Sequence, residues 1–299
     1  MGKNMRIVTR PDFDGIVCAA LLHEVEPVDT PILWTEPGDI QQSKVEIKAG
    51  DILANLPYDE RCSLWFDHHI SNKTDKPFKG AFDIAPSAAR VIHTHYQHRL
   101  AGKYDKLIKE TDKIDAARLT RDEVLSPEKY PYIILSMTIA NRDKKDEGYW
   151  NRLVDLLRQK PITEVMDDKE VHDKCDDIIQ QNVYYKDILE RYTTLNNHIA
   201  ITDLRSFDMA PFGNRFLIYA LFPEATVSVR VRHADHDKNT TIISVGHNIF
   251  NKKCVVNIGL MLSRFNGGGH MGAGACSFAS NHYDTYVNQI IDILLKNAP

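Results

Sequence analysis

Leu64-Trp65-Phe66-Asp67-His68-His69 reads as the end of a buried strand, an apolar run that delivers one carboxylate and two imidazoles to its C-terminal edge. That edge is where open α/β sheets bind their ligands. Far upstream, Met5-Arg6-Ile7-Val8-Thr9 reads as another strand, and it empties into Asp12 and Asp14 ahead of Gly15 and a helix. Acid clusters of this kind are costly to bury without a cation. Holding a divalent metal is the simplest purpose the two strands can share.

Working outward, Pro31–Thr35, Asp51–Leu56, Cys62–Phe66 and Gly80–Ala85 read as further strands. Helical spacing covers Ile16–Glu24, Ser87–Gln97, Lys103–Asp115, Pro127–Ala140 and Gly148–Arg158, then a long charged segment, Ile162–Asn197, opened by Pro161. Strands alternating with helices predict an α/β fold with a doubly wound, mostly parallel N-terminal sheet and a helical connector. The texture changes near His198. Ile199–Thr202, Phe216–Leu221, Thr226–Val231 and Thr240–Val245 look like short strands, while Val255–Phe265 and Tyr283–Lys296 look helical. We therefore expect a domain over 1–190, connector included, and a smaller α/β C-terminal domain over 198–299.

The 299 residues suffice for two such domains, and 43% hydrophobic with 26% charged residues is the composition of a globular protein, not of a disordered one. A formal net charge of -4 gives no general attraction to nucleic acid or to a membrane, so any polyanion must be drawn by a local site. A signal-peptide pattern and an apolar run of the ~20 residues that span a membrane are both missing from this reading, and a cytoplasmic protein is expected. The five cysteines are scattered and form no Cys-x-x-Cys pair, which argues for reduced thiols over disulfides or structural zinc.

Each candidate residue has a plainer alternative. Asp12 and Asp14, two apart, lie on one side of extended backbone, but they also suit the acidic start of a helix. Asp67-His68-His69 suits a transition metal such as manganese, against a surface loop that carries two histidines by chance. Asp112 and Asp115 sit three apart and can share a helix face, or form a solvated acidic stripe with Lys109, Glu110 and Lys113. Gly267-Gly268-Gly269-His270 reads as a side-chain-poor loop whose N–H groups approach a phosphate, against an ordinary glycine turn. Arg230 and Arg232 alternate and face one way, as a second phosphate clamp or as solvent-facing arginines.

Taken in order and spacing, Asp12-Phe13-Asp14-Gly15, the Asp67-His68-His69 triplet, Asp112 and Gly267-Gly268-Gly269-His270 resemble the motifs of the DHH family of phosphoesterases and its DHH-associated C-terminal domain. The resemblance spans nearly the whole chain. It is nearest in character to exopolyphosphatase-related members, with RecJ-like exonucleases, nano-RNases and cyclic-dinucleotide phosphodiesterases more distant. It implies two Mn2+ or Mg2+ ions between the lobes and attack on phosphorus by a water that bridges them. By the same resemblance Asp14, His68 and Asp112 are ligands of one metal, with Asp112 preferred to Asp115 on motif position, and Asp12 is a ligand of the other. Asp67 is the residue that orients the triplet, and His69, His270 and Arg230 contact substrate phosphate, beside Gly267, Gly268 and Gly269.

Two positions depart from the family pattern. Arg10 stands where a histidine usually opens the first motif, and Asn55 where a metal-bridging aspartate usually ends the third strand. A guanidinium stays protonated and cannot ligate a metal, and Asn55 offers an oxygen without charge. The expectation is a first metal site weakened or absent, with the fixed charge of Arg10 standing in for it beside the substrate. The function that follows is metal-dependent hydrolysis of a small phosphoester or phosphoanhydride: a short oligonucleotide, a nucleotide bisphosphate or short polyphosphate. The alternative is a catalytically degenerate binder of nucleotide or phosphate. No extended basic, aromatic-laced groove is visible, so neither a long nucleic acid nor a membrane is an expected partner. A homodimer and a monomer both stay open.

Overall fold

A computed structural model describes residues 5–100, 102–139 and 146–297. By internal contacts they divide into one unit of residues 1–118 and 128–178, and another of 119–127 and 179–299.

The first unit is built on five strands: β1 (Arg6–Thr9), β2 (Leu33–Trp34), β3 (Asp51–Ala54), β4 (Leu64–Asp67) and β5 (Gly80–Phe82). They pair in parallel in the order β2-β1-β3-β4-β5. All four residues of β3 and the last three of β4 are buried, which is why these strands read as continuous apolar runs without alternation. In this strand order the direction of winding reverses between β1 and β3, and ligands of such sheets bind beyond the strand ends at that point.

The helices of the first unit are α1 (Phe13–Val25), α2 (Pro37–Gln41), α3 (Ala88–His95), α4 (Gln97–Leu100) and α5 (Asp105–Asp115). Residues 119–127, counted with the other unit, hold α6 (Arg121–Leu125). Beyond them come α7 (Pro131–Met137), α8 (Glu147–Gln159), α9 (Ile162–Met166) and α10 (Lys169–Tyr192), along which the chain passes into the second unit. Helix α1 is apolar all round because it is buried, packed against α3, α5 and α8. The helix expected over Pro127–Ala140 is a short 3-10 turn followed by α7, and Ala140 lies outside the described residues. The single long segment expected over Ile162–Asn197 is α9, then α10, then a strand.

That strand is β6 (Thr193–Asn196), followed by β7 (Ile199–Asp203), α11 (Leu217–Leu221), β8 (Val227–Ala234), β9 (Asp237–His247), α12 (Ile258–Ser263), β10 (Gly267–His270), β11 (Ala273–Ala279) and α13 (Tyr283–Lys296). The sheet order is β10-β11-β9-β8-β7-β6, antiparallel except for β7 with β8. Val227, Val229, Val231, Ile243 and Val245 build a core with Ile258, Leu262, Ile290 and Leu294 from α12 and α13.

Two expectations are corrected here. Phe216–Leu221 is not a strand: Leu217–Leu221 is α11, with Leu217, Ile218 and Tyr219 buried among Tyr185, Leu189 and Ala200. A short apolar run carries no period that separates strand from buried helix. Nor is Gly267–His270 a loop. It is a sheet-edge strand, each residue paired with β11, and glycine serves close approach: a Cβ on Gly259 of α12 would sit 2.4 Å from the Gly269 carbonyl oxygen.

Candidate metal centre

The centre of the first unit grows from the ends of β1, β3 and β4. After β1 the chain turns so tightly that a Cβ at Gly15 would lie 1.9 Å from the Arg10 carbonyl oxygen, a contact only glycine avoids. Asp12 caps α1 from extended backbone, its Oδ1 accepting from Gly15 N at 2.8 Å. The acidic helix start weighed in the sequence is therefore real, and it does not exclude a second role. Asp14 is buried, and its two oxygens accept from the backbone N–H groups of Ala88 and Ala89 at 2.8 and 2.9 Å, at the start of α3. Ser87 caps that helix by accepting from Arg90 N.

The triplet splits its labour. Asp67 is fully buried; its Oδ1 lies 2.8 Å from His69 Nδ1 and its Oδ2 accepts from Asn72 Nδ2 at 2.7 Å. Both of its oxygens are used in fixing neighbours. His68 Nδ1 lies 2.9 Å from the Ala85 carbonyl oxygen, which can only accept, so Nδ1 carries a proton, and in the neutral ring it is Nε2 that presents the lone pair. That Nε2 is buried without a hydrogen-bond partner, 3.4 Å from Asp115 Oδ2 and 4.0 Å from Asp14 Oδ2. In the neutral ring that lone pair faces two carboxylates, a repulsive arrangement that a cation reverses.

Asp14, His68 and Asp115 each place a ligand atom within 4.8 Å of the other two. Among the described residues the other such group is Asp67, His68 and His69, in which Asp67 is already committed to His69 and Asn72. The acid of α5 in this group is Asp115, whereas Asp112, preferred on motif position, has other partners. Arg90 Nε and Nη2 donate to Asp112 Oδ2 at 2.9 and 2.7 Å, and Ser87 Oγ donates to its Oδ1 at 2.7 Å. Three residues along α5, Asp115 faces the imidazole instead. Nothing in the sequence pattern marked Arg90 and Ser87 as the partners that draw Asp112 aside.

Charge crowding shifts these groups. Burial, then repulsion from Asp12, pushes the Asp14 carboxyl up to about 7 against the pull of the two α3 amides. Asp115 is likewise pushed up to about 7 by burial and by Asp14 and Asp12. The hydrogen bond to Asp67 raises His69 above the usual imidazole range, which favours its charged form.

Arg10 and Asn55 both bear on Asp12. Asn55, in the left-handed region at φ 58° just past β3, donates from Nδ2 to Asp12 Oδ1 at 3.0 Å. Arg10 Nη1 lies 3.4 Å from Asp12 Oδ2, and its Nε donates to Glu36 at 3.1 Å.

Gly267–Gly269, His270 and Arg230 belong to the second unit. The register puts Gly268, Ala275, Ser244 and Arg230 in one row across the sheet, and His270, Ala273, Gly246 and Ser228 in the next row on the same face. Arg230 and His270 therefore share the face opposite the valines of β8. Arg232 shares it too, with its Nη1 donating to the His233 carbonyl and to Asp235. Tyr219 lies over this face, 2.9 Å from Ser228 Oγ.

The chain is thus an α/β protein whose parallel sheet gathers acids and an imidazole at its winding reversal, and whose separate mixed sheet carries Arg230, Arg232 and His270 on one face. Neither a family model nor a curated protein sequence matches the chain. Among solved structures, a pGpG-specific phosphodiesterase, PggH from Vibrio cholerae, is 30% identical over 99% of this chain and 100% of its own, with a TM-score of 0.87. An exopolyphosphatase-related protein from Bacteroides fragilis is 11% identical over 97% of this chain and 94% of its own, with a TM-score of 0.51. RecJ in complex with Mn2+ from Thermus thermophilus is 13% identical over 100% of this chain and 53% of its own, with a TM-score of 0.59. The last two speak to the fold alone. The chain belongs to the DHH family of phosphoesterases.

Proposed function

We propose that this protein is a divalent-metal-dependent phosphodiesterase that hydrolyses a short linear dinucleotide of the pGpG kind. The observation that carries the reading is the unpartnered, buried Nε2 of His68 held against Asp14 and Asp115. The full-length likeness to a pGpG-specific phosphodiesterase supports the substrate class.

The donor set fits Mn2+ or Mg2+: two carboxylates and one neutral imidazole whose tautomer is set by a carbonyl. Such a cation supplies Lewis-acid polarisation of a phosphoryl oxygen and lowers the pKa of a nearby water. The remaining work belongs to the chain. The α3 amides fix Asp14, Ala85 fixes His68, and Asp67 orients His69 and favours its charged form. From that position the His69 ring can donate to a phosphate oxygen as negative charge develops there. Arg230 and His270, on one face of the second sheet, offer a guanidinium and an imidazole of the kind that bind phosphate, and the glycines of β10 pack that face's edge.

Chromatographic assay of pGpG, a nucleotide bisphosphate and short polyphosphate, with and without manganese, tests this. The expected result is manganese-dependent cleavage of pGpG to mononucleotides. Tight pGpG binding without turnover would favour a degenerate binder instead.

A further inference from the structure

We infer that Arg10 is a resident counter-ion of this centre: with Asn55 it takes up the carboxylate of Asp12, so the chain holds one divalent cation, at Asp14, His68 and Asp115. The inference rests on the reading above for the cation site and goes beyond it in the number of ions. Asp12 Oδ1 already accepts two hydrogen bonds, from Gly15 N at 2.8 Å and from Asn55 Nδ2 at 3.0 Å. Its Oδ2 faces Arg10 Nη1 at 3.4 Å. Oδ1 is thus occupied, and a second dication on Oδ2 would meet a positive charge that is fixed, because a guanidinium does not deprotonate.

Glu36 holds the guanidinium from the other side, its Oε2 accepting from Arg10 Nε at 3.1 Å. Arg10 is thus pinned between two acids. Asn55 is 2% exposed and its Oδ1 has no hydrogen-bond partner. That neutral oxygen is able to orient a water or a substrate hydroxyl, but as a metal ligand it lacks the charge of a carboxylate.

The test counts Mn2+ on the full chain at neutral pH, by calorimetry and by electron paramagnetic resonance, in the natural protein and in Arg10→His with Asn55→Asp. One ion per chain with an uncoupled spectrum is expected for the natural protein, and two spin-coupled ions for the double variant. Two ions on the natural protein, none at all, or no second ion on a folded double variant would overturn the inference. If the double variant does not fold, the count on the natural protein decides alone. Turnover of pGpG in the same samples separates the two claims. One ion without turnover removes the proposed function and leaves this inference standing, while two ions with turnover does the reverse.

Discussion

Asp115→Asn and Asp112→Asn, made side by side, ask which acid of α5 serves the centre. Asp115 Oδ2 lies 3.4 Å from the Nε2 of His68, while Asp112 is bound by Arg90 and Ser87. Unit charges 4 Å apart interact by about 4 kcal/mol at an effective dielectric near 20. The Asp115 side chain is 29% exposed, so solvent weakens its share of that attraction. A loss of roughly 2–4 kcal/mol, or roughly 30- to 700-fold weaker Mn2+ binding, is expected for Asp115→Asn. The same change removes repulsion against Asp14 and Asp12, so without metal the variant is expected to melt higher than the natural protein at pH 8. Asp112→Asn has the opposite signature. Disrupting the contacts to Arg90 and Ser87 is expected to cost about 1–3 kcal/mol of stability. Its Mn2+ affinity is expected to stay within about threefold, as for a site that does not share the ligand. Calorimetric titration with Mn2+ and thermal melts in excess chelator read both. Equal loss of manganese in the two variants, or an Asp115→Asn protein that binds it normally, would refute the reasoning.

Further outcomes follow from the same geometry. Because Asp14 and Asp115 are raised from 3.8 to about 7, their protonated forms favour the metal-free fold; that contribution is full below about pH 4 and is lost as pH rises to about 7. Mn2+ needs both groups ionised, so the melting-temperature gain from added Mn2+ is expected to grow from pH 5 to 8, and a pH-independent gain would contradict it. Asp67→Asn removes the charge that raises His69, so NMR titration is expected to show a lower imidazole pKa, with pGpG turnover reduced about 10- to 100-fold. An unchanged imidazole titration would count against the pairing. Gly259→Ala is expected to destabilise the second unit by about 1–3 kcal/mol in urea melts, because the added methyl meets the β10 backbone. Were β10 a loose loop, that variant would be nearly neutral.

Much of this was legible from residues alone, for physical reasons. Strand β4 could be read because a parallel sheet buries both faces, leaving an apolar run that stops where Asp67, His68 and His69 begin. Gly15 and the acids after β1 marked the first turn, and the texture change at His198 marked the second sheet. What failed was whatever depends on partners distant in sequence. Asp112 and Asp115 are equivalent in local pattern, and only the approach of Arg90 and Ser87 from α3 separates them. The glycines of β10 read as a loop because their true constraint is the backbone of β11 and the face of α12. Leu217–Leu221 is too short for its period to show, and its burial against Tyr185 is a tertiary fact.

A manganese-soaked crystal examined by anomalous scattering at the manganese edge addresses the cation site most directly. The account predicts a single strong peak per chain bounded by an Asp14 oxygen, His68 Nε2 and an Asp115 oxygen. A peak on Asp112, or no peak near His68 at saturating manganese, would contradict it.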